Sequence, residues 1–157
     1  MSLDELFAGR HVDREEMRLR LSKAAEKFGV PFRGSDRIYN SRLAQELGLW
    51  SESQGRGDEF HAAVFAAYFV DGKNIASAPL LVELAGSVGL AAGEAARILE
   101  TRAFEASVNA DWAWSREMSV TAVPTLIMNG DRLVGAQPYE ALQGLMEANG
   151  VLRAGGN

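Results

Sequence analysis

The apolar pattern changes period at Thr121, and that change restricts the fold more than any other feature of the chain. Thr121-Ala122-Val123-Pro124 leads into Thr125-Leu126-Ile127-Met128, an apolar run too short for a helix. Asn129-Gly130 is the preferred two-residue turn, and Arg132-Leu133-Val134 reads as the returning strand of a β-hairpin before Gly135 breaks it. A hairpin alone is marginal in water, and this strand is apolar enough to want neighbours on both edges and cover on both faces. The sheet therefore looks incomplete.

Everything upstream has helical spacing. Met17, Leu21, Ala24, Ala25 and Phe28 share a stripe from Val12 to Phe28, with Asp13 and Glu16 as a capping-box pair and Gly29 and Pro31 as the stop. Asn40 can cap a second helix with Leu43, Leu47 and Trp50 on one face, which gives out at Gly55-Arg56-Gly57 before Asp58 restarts the helix. Phe60 to Val70 is apolar on nearly every side and is expected inside the helical cluster. Ser77 caps a helix with Pro79 in its first turn, ending at Gly89, and Ala92 to Glu100 forms another. A sixth spaces Phe104, Val108 and Trp112 four apart, which puts Trp112 on a core stripe and only Trp114 off it. The last helix follows Pro138, with Tyr139, Leu142, Leu145 and Met146 on one face.

The expected division is a helical domain over 1–120, a hairpin plus helix over 121–149 and a flexible tail over 150–157. The chain has 157 residues, a formal charge of −5 and no block of basic residues, so nucleic acid and anionic membrane are poor partners. No apolar run reaches the ~20 residues of a membrane span, and no basic-then-apolar leader opens the sequence, so the expected compartment is the cytoplasm.

Cysteine is absent, which excludes thiolate nucleophiles, Cys-x-x-Cys redox chemistry and cysteine metal sites. His11 and His61 stand alone and read as structural or surface residues, so no metal is expected. Arg56-Gly57-Asp58 spells an integrin-type tripeptide but reads as a turn with an N-cap. Gly86-Ser87-Val88-Gly89 lacks both the spacing and the preceding strand of a hydrolase nucleophile elbow.

Val123-Pro124-Thr125 entering a strand, the hairpin, and Gly135-Ala-Gln-Pro-Tyr opening a final helix together resemble the second half of a thioredoxin fold. Arg37-Ile-Tyr-Asn-Ser-Arg-Leu-Ala-Gln-Glu-Leu and Ala66-Ala-Tyr-Phe resemble the helical insertion of the DsbA-like family, in particular its FrnE-type branch. That branch is grouped with 2-hydroxychromene-2-carboxylate isomerases and kappa-class glutathione transferases. The resemblance covers roughly Leu3 to Ala148 and implies a partial thioredoxin fold: an insertion-type helical domain, then the hairpin and C-terminal helix.

The resemblance implies protein-disulfide oxidoreductase chemistry, with Pro124 as the cis-proline and the Val123 backbone facing an extended thiol substrate or glutathione. On the residues alone Pro124 also fits a trans proline opening an edge strand. Tyr39, Asn40 and Arg42 would face the cleft, although a helix cap with flanking surface residues accounts for them equally. Val123, Pro124, Thr125, Tyr39, Asn40 and Arg42 are thus the candidate substrate-binding residues, and no catalytic residue is assigned. No cofactor is read from the residues, while the resemblance allows glutathione. Family members open with a strand, an active-site loop and a first helix that have no counterpart in this sequence. The expectation is a redox-inactive chain; the alternatives are a self-associating structural module or the remnant of a glutathione-dependent isomerase. The bare edge near Pro124–Met128 predicts a homo-oligomer.

Overall fold

The computed structural model describes residues 13–34 and 37–151. Seven α-helices and one hairpin are formed among them: α1 Arg14–Lys27, α2 Arg42–Ser53, α3 Gly57–Phe65, α4 Ala78–Ser87, α5 Ala92–Thr101, α6 Glu105–Glu117, β1 Thr125–Met128, β2 Asp131–Val134 and α7 Tyr139–Ala148. A π-helical turn, Ala66–Val70, continues α3. The chain divides into two compact units, Met1–Asn109 and Ala110–Asn157, and the division falls inside α6. Among the described residues no helix is long and apolar enough to cross a membrane.

In the first unit α2 packs on α3, α4 and α5. Its stripe works as its spacing predicts: Leu47 is fully buried and Trp50 nearly so, against Phe60 of α3, Leu81 and Ala85 of α4 and Ala95, Ile98 and Leu99 of α5. The approach of α2 and α3 depends on small residues. A Cβ on buried Gly57 would lie 2.5 Å from Glu52 Cγ and 3.2 Å from Glu52 Cα, so the turn between these helices closes only around a glycine.

Several local expectations need correction. Asp13 caps α1 by accepting from the Glu16 N–H at 2.9 Å, but the Glu16 carboxylate turns to Arg20 instead of completing the box. Asn40 acts one position upstream of the cap residue Ser41, its Oδ1 accepting from Arg42 N–H at 2.9 Å. Asp58 lies within the first turn of α3, which begins at Gly57 after Arg56. The stripe of α1 is not core, since Leu21 and Phe28 are exposed. Phe65 and Phe69 are also exposed, so the Phe60–Val70 segment is not buried all round. Phe60, Val64 and Ala67 form its inner face, and an all-apolar sequence could not say which face that would be.

In the second unit β1 and β2 pair antiparallel, with Thr125 opposite Val134, Leu126 opposite Leu133, Ile127 opposite Arg132 and Met128 opposite Asp131. Asn129 (φ 49°) and Gly130 (φ 96°) both adopt the left-handed conformation that a primed two-residue turn requires. α7 packs on β2. None of the described residues from Ala110 to Val151 is fully buried; Leu133, Leu142 and Leu145 are half-buried, while Val134, Tyr139 and Met146 are exposed. Trp112, expected in a core, is 45% exposed, because the stripe that buries Val108 does not continue through the C-terminal half of α6.

Candidate functional site

Asn40 and Arg42 come together where α2 begins. They line a polar depression of about 230 Å³ with Leu43, Ala76 and Arg102. Beneath it lies Glu46, one turn along α2 from Arg42 and 1% exposed. Arg102 grips that carboxylate with two donors, Nε to Oε2 at 2.8 Å and Nη2 to Oε1 at 2.6 Å. Arg42 Nε adds a bond to Oε1 at 3.2 Å, and its Nη2 donates to the Glu105 carbonyl at 3.2 Å and to Asn109 Oδ1. Two guanidiniums and fork geometry make the buried charge tolerable, because each carboxylate oxygen is met by a charged donor. The hydrogen bonds from Arg102 outweigh burial and hold the Glu46 carboxyl below its ordinary range, while Glu46 raises the already high Arg102 value.

Arg102 reaches this position by terminating α5 in the left-handed conformation, at φ 53°. The Arg42–Glu46 spacing of four is legible in the sequence as a helical ion pair. Arg102, 56 residues from Glu46, carries no such signal, and the cluster was missed for that reason.

Tyr39 turns a different way. It lines an apolar groove of about 450 Å³ with Ile38, His61, Val64, Phe65, Tyr68 and Phe69 among others, where it meets the Tyr68 ring edge-on at 6.2 Å. Tyr68 OH donates to the Arg37 carbonyl at 3.2 Å, and burial pushes its hydroxyl up from the ordinary value. His61 lies alongside Phe65 with ring centroids 6.4 Å apart and Nε2 3.9 Å from a Glu52 carboxylate oxygen; His11 falls outside the described residues. The three candidates of the first unit are therefore split between two depressions.

Val123, Pro124 and Thr125 belong to the second unit. The Val123–Pro124 peptide bond is cis, and Val123 is 87% exposed. Thr125 Oγ1 donates to the Ala122 carbonyl at 2.6 Å, which ties the turn before β1. Gly135 N–H donates to the Pro124 carbonyl at 2.8 Å, extending the ladder beyond the strand ends. Pairs exchanging hydrogen bonds alternate with pairs that do not, so Pro124, Leu126 and Met128 direct their backbone groups at β2. The N–H and C=O of Thr125 and Ile127 then point away from β2, and among the described residues none of their backbone groups has a partner.

Residues 8–147 match the DSBA-like thioredoxin domain. The chain belongs to this family. It is 32% identical over 116 residues to the Bacillus subtilis protein YwbO, a match covering 71% of this chain and 58% of that one. The chain thus spans little more than half the length of that curated relative. A probable DsbA oxidoreductase of Streptomyces coelicolor superposes with a TM-score of 0.81 at 26% identity, covering 99% of this chain and 70% of its own. A 2-hydroxychromene-2-carboxylate isomerase shares the fold, with a TM-score of 0.71 at 20% identity over 87% of this chain and 65% of that one. Partial thioredoxin architecture and mostly helical content agree with the reading from sequence.

Proposed function

We propose that this chain is redox-silent by itself. In this reading it forms the helical part and the proline-led strand of a DsbA-type thiol–disulfide oxidoreductase, whose thiolate comes from a Cys-x-x-Cys segment outside these 157 residues. One observation carries the reading: a member of this family has no cysteine. Dithiol–disulfide exchange proceeds by attack of a thiolate on a disulfide sulfur, and no other side chain replaces it.

The open edge of β1 supports the assignment of roles. Thr125 and Ile127 offer unpaired N–H and C=O groups in the form an extended strand accepts. Val123, standing clear of the fold beside Pro124, suits contact with an extended thiol substrate, of which glutathione is the small form. The Streptomyces oxidoreductase is longer than its matched region, which supports seeking the missing thiolate in a counterpart of its remainder.

The test is insulin reduction by dithiothreitol. The chain alone is expected to precipitate insulin no faster than dithiothreitol does. Fusing to it a segment that carries a Cys-x-x-Cys loop between a strand and a helix is expected to accelerate precipitation. Acceleration by the chain alone, or a folded fusion with no activity, refutes the reading.

A further inference from the structure

We infer that the tip of the hairpin is a site of spontaneous covalent modification, where Asn129 is converted to aspartate and isoaspartate while the other Asn-Gly pair, Asn149-Gly150, is spared. The sequence contains these two Asn-Gly pairs and no others. Glycine after asparagine leaves the peptide nitrogen open to the asparagine side chain, because no Cβ screens it. The Gly130 nitrogen gives up its proton to water or hydroxide and bonds to Asn129 Cγ. The Cγ–Nδ2 bond breaks, and Nδ2 takes up a proton and leaves as ammonia. The product is a five-membered succinimide, and water then adds to one of its two carbonyl carbons. Opening at Cγ leaves aspartate, and opening at the backbone carbonyl carbon leaves isoaspartate. The chain and water supply every atom.

The fold separates the two pairs. Asn129 and Gly130 are exposed, and a Cβ on Gly130 would meet nothing within 4 Å. Among the described residues neither the Asn129 side chain nor the Gly130 N–H makes a hydrogen bond. Asn149 is half-buried behind the last turn of α7. Its Nδ2, the leaving group, donates to Asp131 Oδ2 at 3.0 Å and to the Leu145 carbonyl at 2.9 Å. The Gly150 N–H, the nucleophile, donates to the Glu147 carbonyl at 3.1 Å. Both groups must be released before they react, which slows Asn149 relative to Asn129 by about tenfold or more. Asp71-Gly72 could close the same ring only from a carboxyl group, and its Oδ2 lies 3.6 Å from Lys73 Nζ, which favours the unreactive carboxylate.

The two products differ in what they do to β1. Aspartate suits a primed turn as asparagine does, so Met128 stays opposite Asp131. Isoaspartate routes the main chain through its own Cβ and Cγ and adds one backbone atom to the two-residue turn. Loop length fixes the register of a hairpin, so this product loosens the pairing of β1 with β2 from the Met128 end.

The full chain, incubated in mildly alkaline buffer and then digested, tests this by mass spectrometry of the Asn129 and Asn149 peptides. Asn129 is expected to gain the mass of an amide-to-acid change about tenfold faster than Asn149. In urea the two rates are expected to converge, because the fold that separates them is gone. An isoaspartyl methyltransferase used as reagent is expected to transfer methyl groups from S-adenosylmethionine to the aged chain. Asn129→Gly, which the turn accommodates, is expected to remove most of that signal. Equal native rates, faster reaction at Asn149, a difference that persists in urea, or methylation undiminished in Asn129→Gly overturns the inference. For the turn, exchange of the Asp131 amide is expected to stay slow in Asn129→Asp and to quicken in the isoaspartyl chain, and equal exchange in both overturns the account of the register. No readout here involves thiol chemistry, so this inference and the proposed function fail separately.

Discussion

Glu46 sets the sharpest quantitative demand on this structure. Its carboxylate is 1% exposed and is held by three charged donors, at 2.6, 2.8 and 3.2 Å. Glu46→Gln keeps the shape and removes the charge. Removing one partner of a fully buried pair typically costs 3–5 kcal/mol, roughly. Here the cost is lower, because the Arg102 side chain is 38% exposed and Arg42 keeps bonds to Asn109 and the Glu105 carbonyl. A loss of about 2 kcal/mol follows, which at a urea dependence of about 2 kcal/mol per molar moves the midpoint down by about 1 M. Trp50, nearly buried in the same core, reports the transition by fluorescence. The pH dependence has a definite sign. Folding lowers the Glu46 value from 4.5, so its stabilisation is complete above about pH 4.5 and is lost as pH falls through the lower folded value. The gap between wild type and Glu46→Gln should therefore be flat from pH 7 to 5 and close on further acidification. Equal midpoints at pH 7, or a gap unchanged down to pH 3, would refute the account of this cluster.

Other substitutions test the packing. Phe60→Ala removes a fully buried ring and should cost about 3–5 kcal/mol, whereas Phe65→Ala, on the exposed side of α3, should change thermal stability by less than about 0.5 kcal/mol. Gly57→Ala drives a Cβ against Glu52, including its backbone, and should lower the urea midpoint by the equivalent of about 1–3 kcal/mol. Gly48→Ala meets only the movable His61 ring at 2.9 Å and gains helix propensity, so it should be neutral within about 0.5 kcal/mol by the same measurement. Asp13→Ala removes the one side-chain bond capping α1 and should speed amide exchange in its first turn about fivefold, leaving the α2–α5 core unchanged.

How much was legible in the sequence follows from the range of each interaction. Helix positions and the hairpin register depend on spacing over a few residues, and the Leu43–Leu47–Trp50 stripe and Asn129-Gly130 declared themselves at that range. Phe65, Phe69 and Trp112 were misplaced because an apolar side chain states a preference for cover without saying whether a neighbour supplies it. The site divides along the same line. Asn40 and Arg42 were named through the resemblance of 37–47 to the family's helical insertion, whereas Arg102 joins them only because α5 ends in a left-handed turn that returns its side chain to α2. The errors of exposure and the open β1 edge have a common physical root. In the first unit helices satisfy their own backbone, so unburied rings such as Phe65 leave a folded core intact. A strand cannot do this: the outward N–H and C=O groups of β1 find no partner within their own strand, whatever its side chains prefer. That asymmetry sets β1 apart from the helices of the first unit: Thr125 and Ile127 carry backbone groups that no described residue meets.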